Sequence, residues 1–128
     1  MEQPISQFKT RRGLARLIGA TLNARDGLVA AWRGEQAFRQ EIVVLVIGTA
    51  IALMLNVSPF QKFVLIGVLV LVLIVELINS AVEAVVDRIS LERHPLSKNA
   101  KDFGCAAVAL SIALAVAAWV VVLYNRFM

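Results

Sequence analysis

Three stretches without a charged residue constrain this chain more than anything else in it: Ile42 to Gln61, Phe63 to Val75 and Phe103 to Asn125. A helix needs about 20 predominantly apolar residues to cross the hydrocarbon core of a bilayer. The first and third stretches reach that length. The second does so only if the apolar pattern is followed past Glu76 to about Val82. The pattern predicts an all-α membrane protein with three transmembrane helices, roughly 42–57, 63–83 and 104–124. Composition agrees: of 128 residues 59% are apolar and 17% charged, more apolar surface than so short a chain can bury in water. One Cys (Cys105) and one His (His94) exclude a disulfide framework and a Cys/His zinc site within the chain.

The connections are short. Asn56-Val57-Ser58-Pro59 is a turn signal, and Leu91 to Asn99 is the polar connection long enough to act as a lid. Its His94-Pro95 step disfavours helix at His94. Seven Lys and Arg precede the first span and four lie between the second and third, whereas Lys62 and Arg126 mark the other side. The positive-inside rule therefore predicts a cytosolic N-terminus and a cytosolic second connection. A net charge of +4 fits a membrane face rich in anionic lipid better than nucleic acid, which is not expected as a partner. Ahead of the spans, about 5–34 is expected to be an amphipathic surface helix, with Leu14, Leu17, Ile18, Leu22, Leu28, Val29 and Trp32 at roughly helical spacing. A plain anchor would have the same pattern. The whole chain, 1–128, reads as one membrane domain.

The most informative run is Glu76-Leu77-Ile78-Asn79-Ser80-Ala81-Val82-Glu83-Ala84-Val85-Val86-Asp87. Glu76, Asn79, Ser80, Glu83 and Asp87 follow i, i+3, i+4, i+7 and i+11, so they share one helix face. Placing a carboxylate such as Glu76 within the hydrocarbon boundary costs at least about 2.5–3.5 kcal/mol. A partner, a proton or a cation must offset that cost. Glu76 could be protonated and hydrogen-bond a neighbouring helix as simple glue. Alternatively it is a general base, with Glu83 nearer the interface holding a divalent cation through oxygen. Glu35 and Glu41 lie near the same interface, and Lys101-Asp102 is expected to open the third span there, with Lys101 offering a compact cation to phosphate or merely anchoring the helix. These groups together suit phosphoryl transfer to a hydroxyl held in the bilayer. No glycine-rich phosphate loop is present. A small proton-coupled transporter, or an assembly protein with the acids as glue, would use the same residues differently. The outer half of every span lacks charge, which argues against a proton relay.

The run from Glu76 to Arg88, followed by Glu92, His94 and Ala100-Lys101-Asp102, resembles the bacterial membrane-integral diacylglycerol kinase family. Ala30-Ala31-Trp32, Glu35 and Ala37-Phe38-Arg39-Gln40-Glu41 extend the resemblance, which covers about Arg16 to Trp119. It implies a homotrimer in the bacterial inner membrane, with a surface helix and three spans per protomer and sites shared at protomer boundaries. The implied reaction moves the γ-phosphate of ATP, with Mg²⁺, to diacylglycerol, giving phosphatidic acid. By resemblance Glu76 is the base and Asn79 its polar neighbour. Glu35 and Glu83 are metal-bridging carboxylates beside the nucleotide. Arg16, Glu92, Arg93, His94, Lys101 and Asp102 match nucleotide contacts. Arg16, Ala20, Trp32, Phe38, Arg39, Gln40, Glu41, Glu76, Cys105 and Trp119 match lipid-binding positions. Arg93 stands where the best-known members have an aromatic residue, and Cys105 where a small hydroxyl residue is usual. The His94-Pro95-Leu96 step also occurs in a sister branch that phosphorylates undecaprenol, whereas Phe38-Arg39-Gln40-Glu41 favours the diacylglycerol branch.

Overall fold

The structure, a computed structural model, describes residues 13–128, all helical apart from short connections. The elements are α1 (Leu14–Gly34), α2 (Gln36–Met54), α3 (Pro59–Ile89) and α4 (Pro95–Phe127). Residues 5–12 of the expected surface helix lie outside the described residues. α1 forms a compact unit separate from the one that begins at Glu35. Its apolar stripe is exposed in the single chain, from Leu14 at 72% to Trp32 at 48%.

The other three helices are long and apolar enough to cross a membrane. α3 packs against both α2 and α4. Its core is small: Ala52, Leu65 and Val122 are buried, and Leu55, Val57, Ile66 and Trp119 pack around them. Trp119 donates its indole N–H to the Leu65 carbonyl at 3.1 Å. Gly48 makes room for Leu69 and Trp119, since a Cβ there would come within 2.5 Å of Leu69 Cδ1 and 3.4 Å of Trp119 Cζ2. Many large apolar side chains remain exposed, among them Val43, Ile47, Ile74, Ile78, Leu110 and Val120. A patch of that extent is unfavourable in water but costs nothing among acyl chains.

α3 and α4 run past their charge-free stretches at both ends, whereas α2 starts before its own stretch but ends at Met54, short of the expected 57. Hydropathy detects only the part of a helix that sits in hydrocarbon, and a backbone whose hydrogen bonds are made within the helix continues into the interface. α2 therefore begins at Gln36, directly after Glu35, whose extended backbone (φ −120°, ψ 109°) separates it from α1. The α2–α3 turn is set by chemistry visible in the sequence. Ser58 Oγ accepts from the Gln61 N–H, Gln61 Oε1 accepts from the Ser58 N–H, and Pro59 occupies the first turn. Two cations close this end: Lys62 Nζ donates to the Leu53 carbonyl at 3.0 Å and Arg126 Nε to the Asn56 carbonyl at 2.9 Å. Ser58→Ala is expected to cost about 1 kcal/mol of stability through the lost cap, read as a lower midpoint in denaturant unfolding in micelles.

The connection between α3 and α4 is shorter than Leu91 to Asn99. Only Ser90 to His94 is non-helical, and Pro95 starts α4. His94 is extended, as a residue before proline should be, and its Nδ1 accepts the Leu96 N–H at 3.1 Å. Proline at the first helical position and a capping imidazole make a sound helix start, so residues 95–99 are helix rather than lid. Lys101 and Asp102 consequently do not open the helix. They lie more than one turn inside it, beyond the reach of its N-terminal dipole.

Candidate active site

α3 carries the candidate site, because Glu76 and Asn79 on its acidic face turn inward while its apolar faces stay exposed in the single chain. Glu76 and Asn79 are the buried polar residues of this helix, at 6% and 7% exposure, while Ile74 and Ile78 beside them are exposed. Helical spacing alone produces this arrangement. Glu83, one turn further on, is half-buried, and Asn79 Nδ2 makes a long 3.5 Å contact to Glu83 Oε1. Glu76 lies within electrostatic reach of Glu35, Glu41 and Glu83. Glu35 comes from the break before α2 and Glu41 from the second turn of α2, so two helices bring four carboxylates together. Glu41 Oε2 and Asn79 Oδ1 are buried acceptors with no hydrogen-bond donor among the described residues. A cluster rich in carboxylate oxygen with unanswered acceptors calls for a cation or a hydroxyl proton from outside the chain.

Among the described residues, no three His, Cys, Asp or Glu side chains converge tightly enough to hold a metal ion unaided. Mg²⁺ is usually bound by one or two carboxylates, with phosphate oxygens and water completing the octahedron. The hard oxygen donors of Glu35 and Glu83, beside the unanswered acceptors, fit that mode.

One turn beyond Glu83 the acidic face ends at Asp87, and a cavity of about 640 Å³ opens there between α3 and α4. It is lined by Asp87, Glu92, Arg93, His94, Lys98 and Lys101, with Val86, Leu91 and Pro95 among the apolar walls. Its volume falls in the usual range for small-molecule sites, about 300–1,000 Å³. Ser90 Oγ accepts from the Glu92 N–H at 3.0 Å and shapes the turn. Lys101 Nζ bridges to Asp87 Oδ1 at 2.7 Å, joining α4 to α3 across the cavity wall. Both side chains are about half exposed, so solvent screens the pair. Asp102 does not line the cavity; it pairs with Lys98 on the exposed face of α4.

The structure thus brings Glu35, Glu41, Glu76, Asn79 and Glu83 together, and gathers Glu92, Arg93, His94 and Lys101 in the neighbouring cavity. Phe38 is buried on α2, Arg39 is half-buried and Gln40 exposed. Cys105 is an exposed free thiol on α4. Trp119 is set apart from the acids: it contacts Leu65, which precedes Glu76 on α3 by about 16 Å of helix. Arg16, Ala20 and Trp32 lie on α1, with Arg16 and Trp32 exposed and Ala20 half-buried. Sequence spacing puts Asp87 on the acidic face, but its ion pair with Lys101 depends on how α4 lies against α3 and has no local signal.

Comparison with known proteins gives a consistent result. Residues 22–123 match the family model for prokaryotic diacylglycerol kinase. The chain is 48% identical over 118 residues to a diacylglycerol kinase of Pseudomonas aeruginosa, covering 92% of this chain and 96% of that one. It is 47% identical over 115 residues to the Escherichia coli protein of the same name, covering 90% and 94%. With the Haemophilus influenzae diacylglycerol kinase it shares 39% identity over 112 residues, covering 88% and 94%. The acidic face of α3 lies inside every one of these matches in length and the family model spans it whole; the chain belongs to the prokaryotic diacylglycerol kinase family.

Proposed function

We propose that this chain transfers the γ-phosphoryl group of ATP to the hydroxyl of diacylglycerol, forming phosphatidic acid at the cytosolic interface of the bacterial inner membrane. The observation that carries this reading is a buried Glu76 in an apolar helix, facing Glu35, Glu41 and Glu83 with Asn79 beside it. A carboxylate kept from water accepts a proton more readily than one in solution. Diacylglycerol presents its hydroxyl just below the headgroup plane, where the acidic face of α3 leaves hydrocarbon. Glu76 takes the hydroxyl proton as the oxygen attacks the γ-phosphorus. The bond from that phosphorus to the β,γ-bridging oxygen breaks, and ADP leaves from the cavity. Asn79 holds the reacting groups in place between Glu76 and Glu83.

Glu92, Arg93 and His94 in the α3–α4 turn contact the nucleotide. Lys101 leaves Asp87 to neutralise phosphate oxygens, and Asp102 and Arg16 add contacts around it. Glu35 and Glu83 would hold Mg²⁺ together with the phosphates, and the bound ion would supply positive charge to the transferring group. Arg16, Ala20, Trp32, Phe38, Arg39, Gln40, Glu41, Cys105 and Trp119 line the lipid path, with α1 lying in the interface. The working form is a homotrimer, and the apolar faces left exposed in one protomer provide the area for its contacts. The excess of Lys and Arg before the first span and after the second supports the cytosolic placement.

The acceptor is tested by assaying purified protein in mixed micelles with radiolabelled ATP, offering diacylglycerol and undecaprenol side by side. Label is expected in phosphatidic acid. A large preference for undecaprenol would overturn the acceptor assignment and give weight to the His94-Pro95-Leu96 step.

A further inference from the structure

α4 contains one glycine in its 33 residues, Gly104, and the residues that follow it are Cys105, Ala106 and Ala107. Small size alone would be met by alanine, which is also the better helix former. The reason for glycine lies across the helix pair. A Cβ built at Gly104 would collide with Asn79 Oδ1 and reach within 3.1 Å of Asn79 Cγ and 3.7 Å of Asn79 Cβ. The carboxamide of Asn79 therefore rests directly on the α4 main chain. It is buried, its Nδ2 is turned toward Glu83 Oε1, and its Oδ1 has no donor among the described residues.

A carboxamide in that place has two orientations about its last torsion, and only one directs the amide N–H toward Glu83. Its contact with Glu83 Oε1 selects the orientation with Nδ2 toward that carboxylate, and its close approach to the α4 main chain fixes where the carboxamide sits. We propose that Gly104 is a positioning residue for phosphoryl transfer: by withholding a side chain it seats Asn79 against α4 and holds its amide toward Glu83. This rests on the phosphotransfer reading above. A methyl group at 104 must push Asn79 toward Glu76 or force α3 and α4 apart, because the colliding atom is the polar end of a short, buried side chain rather than the tip of a flexible one.

The test compares Gly104→Ala, Asn79→Ala and the double variant with the unmodified full-length protein in micelles. Gly104→Ala is expected to lower kcat about a hundredfold, the usual result of misplacing a catalytic group by about 1 Å. The KM for MgATP should stay the same, since Gly104 does not line the nucleotide cavity. Gly104→Ala should also lower the thermal midpoint when Asn79 is present and leave it unchanged or raised in the Asn79→Ala background. Normal kcat in Gly104→Ala, or an equal loss of midpoint in both backgrounds, overturns the proposal. If Gly104→Ala does not assemble, the double variant decides: recovery to the Asn79→Ala midpoint supports the steric seat, and continued failure overturns it. Failure of the phosphotransfer reading would be seen separately, as no turnover in the unmodified protein, while the midpoint comparison still reads the Asn79–Gly104 contact.

Discussion

Replacing Glu76 with Gln is expected to lower kcat for diacylglycerol phosphorylation by about 10²–10⁴-fold, the usual contribution of a positioned general base. That corresponds to about 2.7–5.5 kcal/mol of barrier. The carboxamide has almost the same shape as the carboxylate and can still fill the buried site on α3, so helix packing and assembly should be retained. It cannot accept the hydroxyl proton. Steady-state assays in micelles, paired with size-exclusion chromatography of the same sample, read both halves of the expectation. Turnover at the normal rate in Glu76→Gln would remove Glu76 from the chemistry. Loss of assembly together with turnover would instead make the acid an adhesive between helices, as an interhelical hydrogen bond in a membrane can be.

Chelating Mg²⁺ with excess EDTA is expected to stop turnover, and adding Mg²⁺ back should restore it. Glu83→Gln should then raise the Mg²⁺ concentration needed for half-maximal rate and lower kcat by about 10²–10³-fold, comparable to removing one group that stabilises developing charge. The reasoning is electrostatic. Glu76 lies close enough to Glu35, Glu41 and Glu83 to be repelled by each, so a cation or a proton among them relieves the cluster. A Gln at 83 removes one oxygen ligand's charge and relieves part of that repulsion. Full activity in excess EDTA, or a Glu83→Gln variant with an unaltered Mg²⁺ titration, would exclude the metal assignment.

Much of the fold can be read from the chain because membrane burial is a strong and simple selector. The lack of charge from Ile42 to Gln61 and from Phe103 to Asn125 leaves few alternatives to spanning helices. The acidic face of α3 is equally legible, since helical geometry alone puts Glu76, Asn79 and Glu83 on one side. Helix ends were harder. Hydropathy stops where the hydrocarbon does, so the interfacial turns Gln36–Glu41 and Pro95–Phe103 carry no apolar signal although they are helical. A polar run with a His-Pro step looks like loop, yet His94 is a cap and Pro95 a helix start. Contacts between helices are least visible. The Asp87–Lys101 ion pair and the seat of Asn79 on Gly104 depend on how α3 and α4 lie together, and neither leaves a periodic trace. The roles expected of Arg16, Ala20 and Trp32 on α1 come from family resemblance alone.

The 31 residues of α3 form one unbroken rod of about 45 Å, half as long again as the roughly 30 Å of hydrocarbon it crosses. Its apolar part is gripped at one end by the capped turn at Ser58 and the main-chain contacts of Lys62 and Arg126. In a bilayer, helix tilt and bilayer thickness would together set the depth of Glu76. Short acyl chains would bring the carboxylate up among the headgroups and into water, while long ones would draw it and the acceptor alcohol further from the nucleotide. On the proposed mechanism the surrounding lipid would act as a structural component of the enzyme, influencing where along the rod proton and phosphate meet.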